Sequence, residues 1–517
     1  MQRVTFDHPH PLHDLQATRQ IEAAGIAATG PHVLMQRAGA CVARLAQALA
    51  PHARLIWIAC GAGNNGGDGL EAAALLHARG FRVQVSWLGS VEKASTDTLK
   101  SWHRAVAAGV PFVEEPPFDL DDQDLCIDAL LGIGLTPHDS GRRPSAALRS
   151  LLDAVHGTRA TVLRVDLPSG LMADSGQWAA GFEPPPSPPA ALRHTLSLLT
   201  LKPGLFTGMG RDAAGTVWLD DLQLPSPDAA PRAWLACAPH GIHPSGTPLR
   251  PHASHKGSWG DVAVVGGEGL EERGMGMTGA ALLAASAALH AGAGRVMLSA
   301  LDPAVTQPPA LAPEIMLRRF EKLDLETATI VCGCGGGDAV KTVLPQILKT
   351  ARRLVLDADA LNAIATDAGM QALLAQRARH AGFITAMTPH PLEAARLLGS
   401  DTRTVQSDRI AAARELAERH GCIAVLKGSG SIIAAPGEAP FINPTGNARL
   451  ATGGTGDVLA GLLGARIAAL DNTQDGLARR AFLAACQACW QHGRAAEDDL
   501  FSQGLTASGL ARALSPM

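Results

Sequence analysis

The sequence predicts an α/β protein built from two domains. A chain of 517 residues is too long for one ordinary domain. In both halves, short runs of aliphatic residues are followed by a glycine-rich or polar loop, and then by apolar residues at helical spacing. This alternation of strand, loop and helix is typical of mostly parallel sheets that are covered by helices.

The stretch 223–252 is rich in proline, alanine and histidine and is the best candidate for a linker. We therefore predict a first domain at 1–222 and a second domain at 253–517. In the first domain, helical spacing over 17–50 predicts two helices that are separated near Gly30. The stretch 54–88 predicts a strand, a glycine-rich turn at 61–69, a helix at 70–79 and a second strand. This is the arrangement of a Rossmann-like, doubly wound α/β/α sandwich.

Composition excludes several classes of function. The formal net charge of −4 gives no basic surface for nucleic acid, and aromatic residues at 4% with no tyrosine give no platform for base stacking. Residues 1–20 lack the apolar core of a signal peptide, and no uncharged apolar run is long enough to span a membrane. We expect a globular cytoplasmic protein that binds neither nucleic acid nor membrane.

Nine scattered cysteines predict reduced thiols in the core, as in a cytoplasmic protein. The alternative is a zinc site made by Cys332, Cys334, Cys486 and Cys489. The last two cysteines fall within a helical pattern that has no turn between them, which is unusual for a zinc ligand pair. The spacing therefore favours core thiols.

The glycine-rich turn at 61–69 carries Asn64, Asn65 and Asp68. Glycine lets the backbone approach a phosphate closely, and the helix that follows offers its amino-terminal N–H groups. The side-chain oxygens suit a hard cation or a sugar hydroxyl. The alternative interpretation is a polar turn held by its own asparagine and aspartate side chains.

Two later strands of the first half also end in carboxylates. Asp128 ends a predicted strand at 124–128, and Asp166 follows a predicted strand at 160–165. Each aspartate alone is also typical of a helix N-cap or a turn. Because the carboxyl ends of parallel strands share one edge of a sheet, we expect these groups to converge with the glycine-rich turn on one ligand site.

The second half contains a longer glycine-rich run at 443–461, which includes Asp457 and leads into a predicted helix at 458–470. Backbone N–H groups at a helix N-terminus favour an anion, most plausibly phosphate, and a carboxylate beside it suits general acid/base chemistry. An N-cap aspartate in a simple turn is the alternative. Lys427 follows a predicted strand at 422–426, and His390 is held between two prolines. Neither the glycine-rich run at 443–461 nor the loop that begins at Lys427 matches the P-loop pattern of ATPases.

Several long runs resemble one family in the order in which they occur. The first half contains LMQRAG at 34–39, GNNGGDG at 63–69, DALLGIGL at 128–135 and VDLPSGL at 165–171. The second contains HKGSWG at 255–260, MTPHPLE at 387–393, VLKGSGS at 425–431 and NPTGNARLATGGTGD at 443–457. The chain resembles the bifunctional NAD(P)H-hydrate repair enzymes, which join an NAD(P)HX epimerase domain to an ADP-dependent (S)-NAD(P)HX dehydratase domain of the ribokinase-like α/β fold.

The resemblance implies roles for residues of the first half. Asp166 would be catalytic and would contact the substrate near the hydrated carbon. A potassium ion would be held by Asn65, Asp128 and Ser169. The other residues that the resemblance places against the hydrated dinucleotide are Asn64, Asn65, Gly66, Gly67, Asp68, Gly132, Ile133, Gly134, Leu135, Thr136, Pro137 and His138.

The resemblance implies a second set of roles in the other half. Asp457 would be the catalytic base, and Ala280, Gly335, His390 and Asp457 would face the hydrated nicotinamide. The residues that would bind the adenine nucleotide are Lys427, Gly428, Ser429, Gly430, Ser431 and Gly456. ADP would enter with Mg²⁺ and would phosphorylate the C6 hydroxyl of NADHX or NADPHX, so that phosphate leaves instead of hydroxide and AMP is released. We also expect a homo-oligomer.

The sequence departs from the family pattern at three positions. Ser431 stands where relatives often have threonine, Cys334 lies in a loop that is usually small-Pro-Gly, and Thr278 replaces a common proline. The runner-up interpretation is a ribokinase-like kinase of small molecules fused to a non-catalytic nucleotide-binding domain. The HKG and NPTGN runs favour the dehydratase.

Overall fold

The structure is a computed structural model that describes residues 1–135, 143–185, 191–225, 229–238, 252–305, 312–380, 382–471, 476–498 and 504–516. The chain divides into two compact units. Unit 1 comprises Met1–Thr5 and His10–Ala233, and unit 2 comprises Phe6–Pro9 and Trp234–Met517. The division at Ala233 falls inside the stretch 223–252. The linker itself stays a prediction, since much of that stretch lies outside the described residues.

Unit 1 alternates strands and helices along its length. Its elements are β1 (Gln2–Arg3), β2 (His10–Leu12), α1 (Leu15–Thr29), α2 (Val33–Leu49), β3 (Ile56–Cys60), α3 (Asn64–Ala78), β4 (Val83–Trp87), α4 (Thr96–Ala107), β5 (Leu125–Ala129), α5 (Ala146–Gly157), β6 (Thr161–Val165), β7 (Arg193–Leu198), α6 (Gly210–Ala214) and β8 (Thr216–Asp220), and β9 (Ala233–Leu235) follows at the boundary.

The sheet of unit 1 has the strand order β1-β8-β7-β6-β5-β3-β4. Its neighbouring strands run parallel, except that β1 is antiparallel to β8. All five residues of β3 and of β5 are buried, because helices cover both faces of a parallel sheet. The carboxyl ends of β3, β5 and β6 therefore meet at one edge, as the sequence predicts.

The glycine-rich turn of unit 1 is shorter than predicted. Helix α3 begins at Asn64, directly after its N-cap Gly63, so that residues 64–69 form helix instead of loop. The physical reason is close packing, which only glycine allows here. A Cβ at Gly66 would lie 2.0 Å from the carbonyl oxygen of Gly61, and one at Gly69 would lie 2.7 Å from Cβ of Ala129. The glycines thus let the first turns of α3 press against the sheet.

Unit 2 repeats the same alternation. Its elements are β10 (Asp261–Gly266), α7 (Leu270–Arg273), α8 (Thr278–His290), β11 (Arg295–Ala300), β12 (Met316–Leu317), β13 (Thr329–Cys332), α9 (Val340–Thr350), β14 (Arg353–Leu356), α10 (Ala358–Thr366), α11 (Ala368–Arg377), β15 (Ile384–Met387), α12 (Pro391–Leu398), α13 (Thr402–Ser407), α14 (Arg409–His420), β16 (Ile423–Leu426), β17 (Ile432–Ala434), β18 (Phe441–Ile442), α15 (Thr455–Ala468), α16 (Leu477–Ala496) and α17 (Ala507–Arg512).

The strands of unit 2 lie in the order β12-β11-β10-β13-β14-β15-β16-β17-β18-β9. The run from β12 to β16 is parallel, and β17 forms antiparallel pairs with β16 and β18. Helices α8 and α15 pack tightly against each other, since a Cβ at Gly461 of α15 would lie 1.9 Å from the carbonyl oxygen of Ala284 in α8. The predicted fold class, α/β in both halves, is confirmed.

Two further expectations concern the helices. Cys486 and Cys489 are both buried within α16, in agreement with the helical pattern that disfavours a zinc site there. Among the described helices, none is both long enough and apolar enough to cross a membrane.

Candidate functional sites

Unit 1 has a cavity of about 340 Å³ at the carboxyl edge of its sheet. The cavity brings together many of the residues predicted to bind substrate. These are Asn64, Asn65, Asp68, Gly132, Ile133, Gly134 and Asp166. Thr136, Pro137 and His138 lie outside the described residues. The structure does not place Gly66, Gly67 or Leu135 on the cavity wall, and the two glycines are instead buried in the packing of α3.

Asp166 forms an ion pair with Lys202 in this cavity. Lys202 is completely buried, and its Nζ donates hydrogen bonds to Oδ1 of Asp166 and, at 2.7 Å, to the carbonyl oxygen of Leu198. The backbone N–H of Leu198 also donates to Oδ1 of Asp166 at 3.1 Å. Asp166 has a φ of 67°, in the left-handed region that costs energy for a residue with a Cβ. Tertiary contacts thus hold this carboxylate in a strained position that faces the cavity.

Two more carboxyl groups line the same cavity. Burial raises the pKa of Asp68 well above its ordinary value, and the negative charge of Asp166 raises it further. Burial and Asp166 also raise the pKa of Glu22, although Lys202 opposes this shift. The cavity therefore contains two carboxyl groups with raised pKa values near the ion pair of Asp166 and Lys202.

Asp128 and Ser169 lie together at the ends of β5 and β6. Oγ of Ser169 donates a 2.5 Å hydrogen bond to Oδ1 of Asp128, and the backbone N–H of Ser169 lies 3.2 Å from Oδ2. Burial raises the pKa of Asp128, and Arg164 opposes that shift from 3.9 Å. Both side-chain polar atoms of Asn65 are buried, and within the described residues neither has a hydrogen-bond partner. An orphaned amide oxygen is expected where a cation completes the site.

Lys202 and Glu22 were not predicted from the sequence as site residues. Lys202 follows the mostly aliphatic run 198–201, which extends beyond the end of strand β7, and it precedes Pro203 and Gly204. A lysine directly after an aliphatic run and before small residues is the same signal that identified Lys427. Glu22 lies on α1 and has no local signal, because only the tertiary fold brings that helix to the cavity.

Unit 2 has a cluster of charged groups around Lys427. Its Nζ lies 2.7 Å from Oδ1 of Asp357 and 3.9 Å from Oε2 of Glu393. Burial acts to lower the pKa of Lys427, but the two carboxylates outweigh this effect and the pKa is raised. Oε1 of Glu393 lies 3.2 Å from Nε2 of His390. Burial, followed by the charge of Lys427, lowers the pKa of His390.

Asp457 lies in the first turn of α15 and faces this cluster. Burial, together with the negative charge of Asp357, raises the pKa of Asp457 to about 7. The thiol of Cys334 is hydrogen-bonded to the Asp457 carboxyl and opposes this shift. One ligand atom from each of Cys334, Asp357 and Asp457 lies within 4.8 Å of the other two. A carboxyl with a pKa near neutrality, beside a fixed cation and a helix N-terminus, is equipped to accept a proton from a substrate hydroxyl.

Other predicted residues of unit 2 lie close together in two pairs, each of which includes a glycine. A Cβ at Gly456 would lie 3.4 Å from Nζ of Lys427, so the N-terminus of α15 abuts the lysine. Gly335, with a φ of 57°, abuts α8, because its Cβ would lie 2.9 Å from that of Ala280. The loop 428–431 contains an internal hydrogen bond, in which Oγ of Ser431 donates to the carbonyl oxygen of Gly428 at 3.2 Å. Gly428 and Ser429 are exposed.

Asp357 occupies the N-cap position of α10, but its side chain makes no cap hydrogen bond. Its carboxylate instead accepts hydrogen bonds from Lys427 and from the hydroxyl of Thr388. Glu393 and Cys334 were not predicted as site residues. Glu393 carries a sequence signal, since it closes a capping box with His390.

Comparisons with known proteins match each half of the chain to a known family. Residues 31–204 match the family described as the YjeF-related protein N-terminus, and residues 262–515 match the family described as NAD(P)H-hydrate dehydratase. The fold and the two sites thus define a protein that joins a Rossmann-like domain to a dehydratase-type α/β domain. The chain belongs to the family of bifunctional NAD(P)H-hydrate repair enzymes, since relatives of this name match it over most of its length.

Two curated relatives illustrate the match. The bifunctional NAD(P)H-hydrate repair enzyme Nnr of Escherichia coli is 33% identical over 493 residues, which cover 92% of this chain and 87% of that protein. The ADP-dependent (S)-NAD(P)H-hydrate dehydratase of Neisseria meningitidis is 41% identical over 276 residues, covering 52% of this chain and 86% of that protein. A solved structure, the ADP/ATP-dependent NAD(P)H-hydrate dehydratase of Bacillus subtilis co-crystallised with ATP and Mg²⁺, is 28% identical with a TM-score of 0.40, and the match covers 52% of this chain and 91% of that one.

Proposed function

We propose that this chain repairs hydrated nicotinamide dinucleotides, with unit 1 as an NAD(P)HX epimerase and unit 2 as an ADP-dependent (S)-NAD(P)HX dehydratase. Membership of the repair-enzyme family supports both activities. The main observation that supports the dehydratase activity is the position of Asp457 in the first turn of α15, close to Asp357 and with a pKa of about 7. Lys427, paired with Asp357, brings a fixed cation to the same place.

In unit 2 the hydroxyl on C6 of the hydrate is a poor leaving group, because it would depart as hydroxide. Asp457 accepts the hydroxyl proton while the oxygen attacks the β-phosphorus of ADP, and AMP leaves. The C6–O bond then breaks with phosphate as the leaving group, and loss of a proton from the neighbouring ring carbon restores the dihydropyridine. Lys427 and the N–H groups of the glycine loops stabilise the charge on the transferring phosphoryl group. Mg²⁺ enters with ADP.

In unit 1 the two epimers interconvert at the same C6 carbon. Asp166 accepts the hydroxyl proton, which allows the C6–N bond of the ring to open, and returns that proton after the ring has closed on the other face. Lys202 pairs with the Asp166 carboxylate and orients it for this step. The ring nitrogen gains one proton when the C6–N bond opens and loses it on closure, and Asp68 or Glu22, which line the same cavity, exchange that proton with it.

A potassium ion fits the first site. Asn65 would offer its orphaned amide oxygen, and Asp128 and Ser169 would offer their oxygens from the neighbouring strand ends. A monovalent cation is adequate because Arg164 already lies 3.9 Å from Asp128. The ion would supply a fixed positive charge near the dinucleotide phosphates. We also propose that the protein is a cytoplasmic homo-oligomer. Its formal net charge of −4 favours small-molecule substrates over nucleic acid.

The experiment is to mix both hydrate epimers with ADP, Mg²⁺ and K⁺ and to follow the absorbance of the reduced nicotinamide. We expect complete and rapid recovery. If rapid recovery of the reduced nicotinamide stops at about half of the substrate, the dehydratase activity is supported and the epimerase activity is refuted. Absence of recovery with either ADP or ATP would refute the proposed dehydratase and favour a kinase of other small molecules.

A further inference from the structure

A buried arginine lies behind the nucleotide loop, which we define as residues 427–431. Arg409 is the first residue of α14 and is only 2% exposed. Its Nη2 donates hydrogen bonds to the carbonyl oxygens of Leu426 at 3.3 Å, Lys427 at 3.3 Å and Gly430 at 3.4 Å. Its Nη1 donates to Oε1 of Gln406 at 2.8 Å. One guanidinium group thus joins the end of β16 to both ends of the nucleotide loop.

The contact with Gly428 shows how closely the guanidinium fits the loop. A Cβ at Gly428 would lie 2.9 Å from both Nη1 and Nη2 of Arg409, and the φ of Gly428 is 140°. The absence of a side chain at Gly428 therefore lets the peptide approach the guanidinium closely. Because Gly428 and Ser429 are exposed while Arg409 is buried, the arginine lies on the inner side of the loop.

The hydrogen bonds also determine which backbone groups face inward. Arg409 occupies the carbonyl oxygens of Lys427 and Gly430, and Ser431 occupies that of Gly428. An anion is repelled by carbonyl oxygens and attracted by N–H groups, so a loop that binds phosphate must turn its carbonyls away. The buried guanidinium also adds a positive charge behind the loop. Burial lowers the pKa of Arg409 to about 10, which leaves the group charged at neutral pH.

We propose that Arg409 is a positioning residue for the nucleotide, which fixes the nucleotide loop with its carbonyl oxygens turned inward and its outer face toward the phosphates of ADP. This inference rests on the proposed dehydratase function and names a residue for which the sequence motifs assign no role. Lysine cannot replace the arginine, because an ammonium group is a compact point charge and cannot span three carbonyls as the planar fork does.

The test is Arg409→Lys in the full chain, assayed for dehydration with ADP and hydrate varied separately. We expect the KM for ADP to rise about tenfold, because the charge remains while the fork is lost. The KM for the hydrate should stay within about twofold, since Arg409 acts on the site through the nucleotide loop. Titration calorimetry with Mg²⁺–ADP should show the same weakening.

Arg377→Lys is a matched control. Arg377 is also 2% exposed and donates to the carbonyl oxygens of Leu348 and Ala351, but it lies on α11, away from the nucleotide loop. Both variants lose a buried fork, so a general loss of stability affects both. We expect only Arg409→Lys to raise the KM for ADP. Equal changes in both variants would overturn the positioning role.

A second variant covers the case in which Arg409→Lys does not fold. Gln406→Leu removes the acceptor of Nη1 at a partly exposed position, and we expect a smaller rise in the KM for ADP. An unchanged KM for ADP in a folded Arg409→Lys protein, or in Gln406→Leu where the first variant does not fold, would refute the inference while the dehydratase function stands. Failure of the wild-type protein to use ADP would instead refute the proposed function on which the inference rests.

Discussion

Nζ of Lys427 lies 2.7 Å from Oδ1 of Asp357, and the same oxygen accepts a 2.7 Å hydrogen bond from the hydroxyl of Thr388. Asp357 therefore holds the lysine in place before any nucleotide arrives. The pair also explains why Asp457 is a better base than an ordinary aspartate. Asp357 carries the negative charge that, after burial, contributes most to raising the pKa of Asp457.

Replacing Lys427 with methionine should impair the use of ADP. We expect the KM for ADP to rise at least about tenfold, because the charged hydrogen bond to phosphate is lost and two buried carboxyls are left without their cation. Separate titrations of ADP and hydrate measure this. Lys341→Met is the control, since Lys341 pairs with the exposed Asp338. An unchanged KM for ADP in folded Lys427→Met would contradict the role of the lysine.

The rate of dehydration should follow the ionisation of Asp457. Because its pKa is raised to about 7, the fraction of carboxylate, and with it kcat, should increase as the pH rises through about 7. Asp457→Asn should lower kcat by about 10²- to 10⁴-fold, the range typical of a lost general base. Stopped assays across pH 6–8 measure both. Epimerisation by the same variant is the internal control, and a flat pH profile would be inconsistent with this assignment.

The same aspartate should make unit 2 less stable at alkaline pH. The pKa of Asp457 is higher in the folded protein than in the unfolded chain, so its ionisation penalises the folded state increasingly from about pH 4 to about pH 7. Asp457→Asn should therefore raise the free energy of unfolding on the order of 2 kcal/mol at pH 8 and leave it nearly unchanged at pH 4. Urea titrations at the two pH values measure the difference.

Asp338→Asn is the comparison variant, because the pKa of Asp338 is shifted in the opposite direction to that of Asp457. Lys341 lowers the pKa of the exposed Asp338, so removal of this carboxylate should bring no stabilisation at pH 8. A gain for both variants at that pH would mean that the effect is unrelated to the burial of Asp457.

Replacing Lys202 with methionine should abolish epimerisation and leave dehydration active. In Lys202→Met the Asp166 carboxylate lacks its buried cation, which should cost about 3–5 kcal/mol in stability. With mixed epimers, recovery should stop near half after the fast phase, as it should in Asp166→Asn. Lys93→Met, at an exposed position, is the control. Full rapid recovery by Lys202→Met would argue against the pair.

Potassium should stabilise unit 1 through Asn65. The buried amide oxygen of Asn65 gains a partner when the ion binds, and a ligand that binds only the folded state raises the unfolding temperature. We expect a higher temperature in K⁺ than in a bulky organic cation at equal ionic strength. Asn65→Leu and Asp128→Asn should abolish the difference. Asn447→Leu, in unit 2, should keep it, and its persistence in Asn65→Leu would exclude this residue as a ligand.

The sequence by itself determined the alternation of strands and helices, because apolar periodicity and glycine punctuation are local properties of the chain. It also predicted that Asn65, Asp128 and Asp166 lie at one edge of a sheet, since parallel strands end on the same side. Asp457 and Lys427 stood out for a similar reason, as each combines a charged group with glycines that admit a phosphate.

Only the tertiary structure decided which charged groups act on one another. Asp357 and Lys427 are 70 residues apart in the chain. Arg409 lies at the start of α14, and the fold brings it into contact with the nucleotide loop. Glu22 enters the first cavity from α1 without any local signal. The physical reason is that burial and the field of neighbouring charges, which set the pKa of Asp457, depend on distances across the fold and have no trace in local sequence.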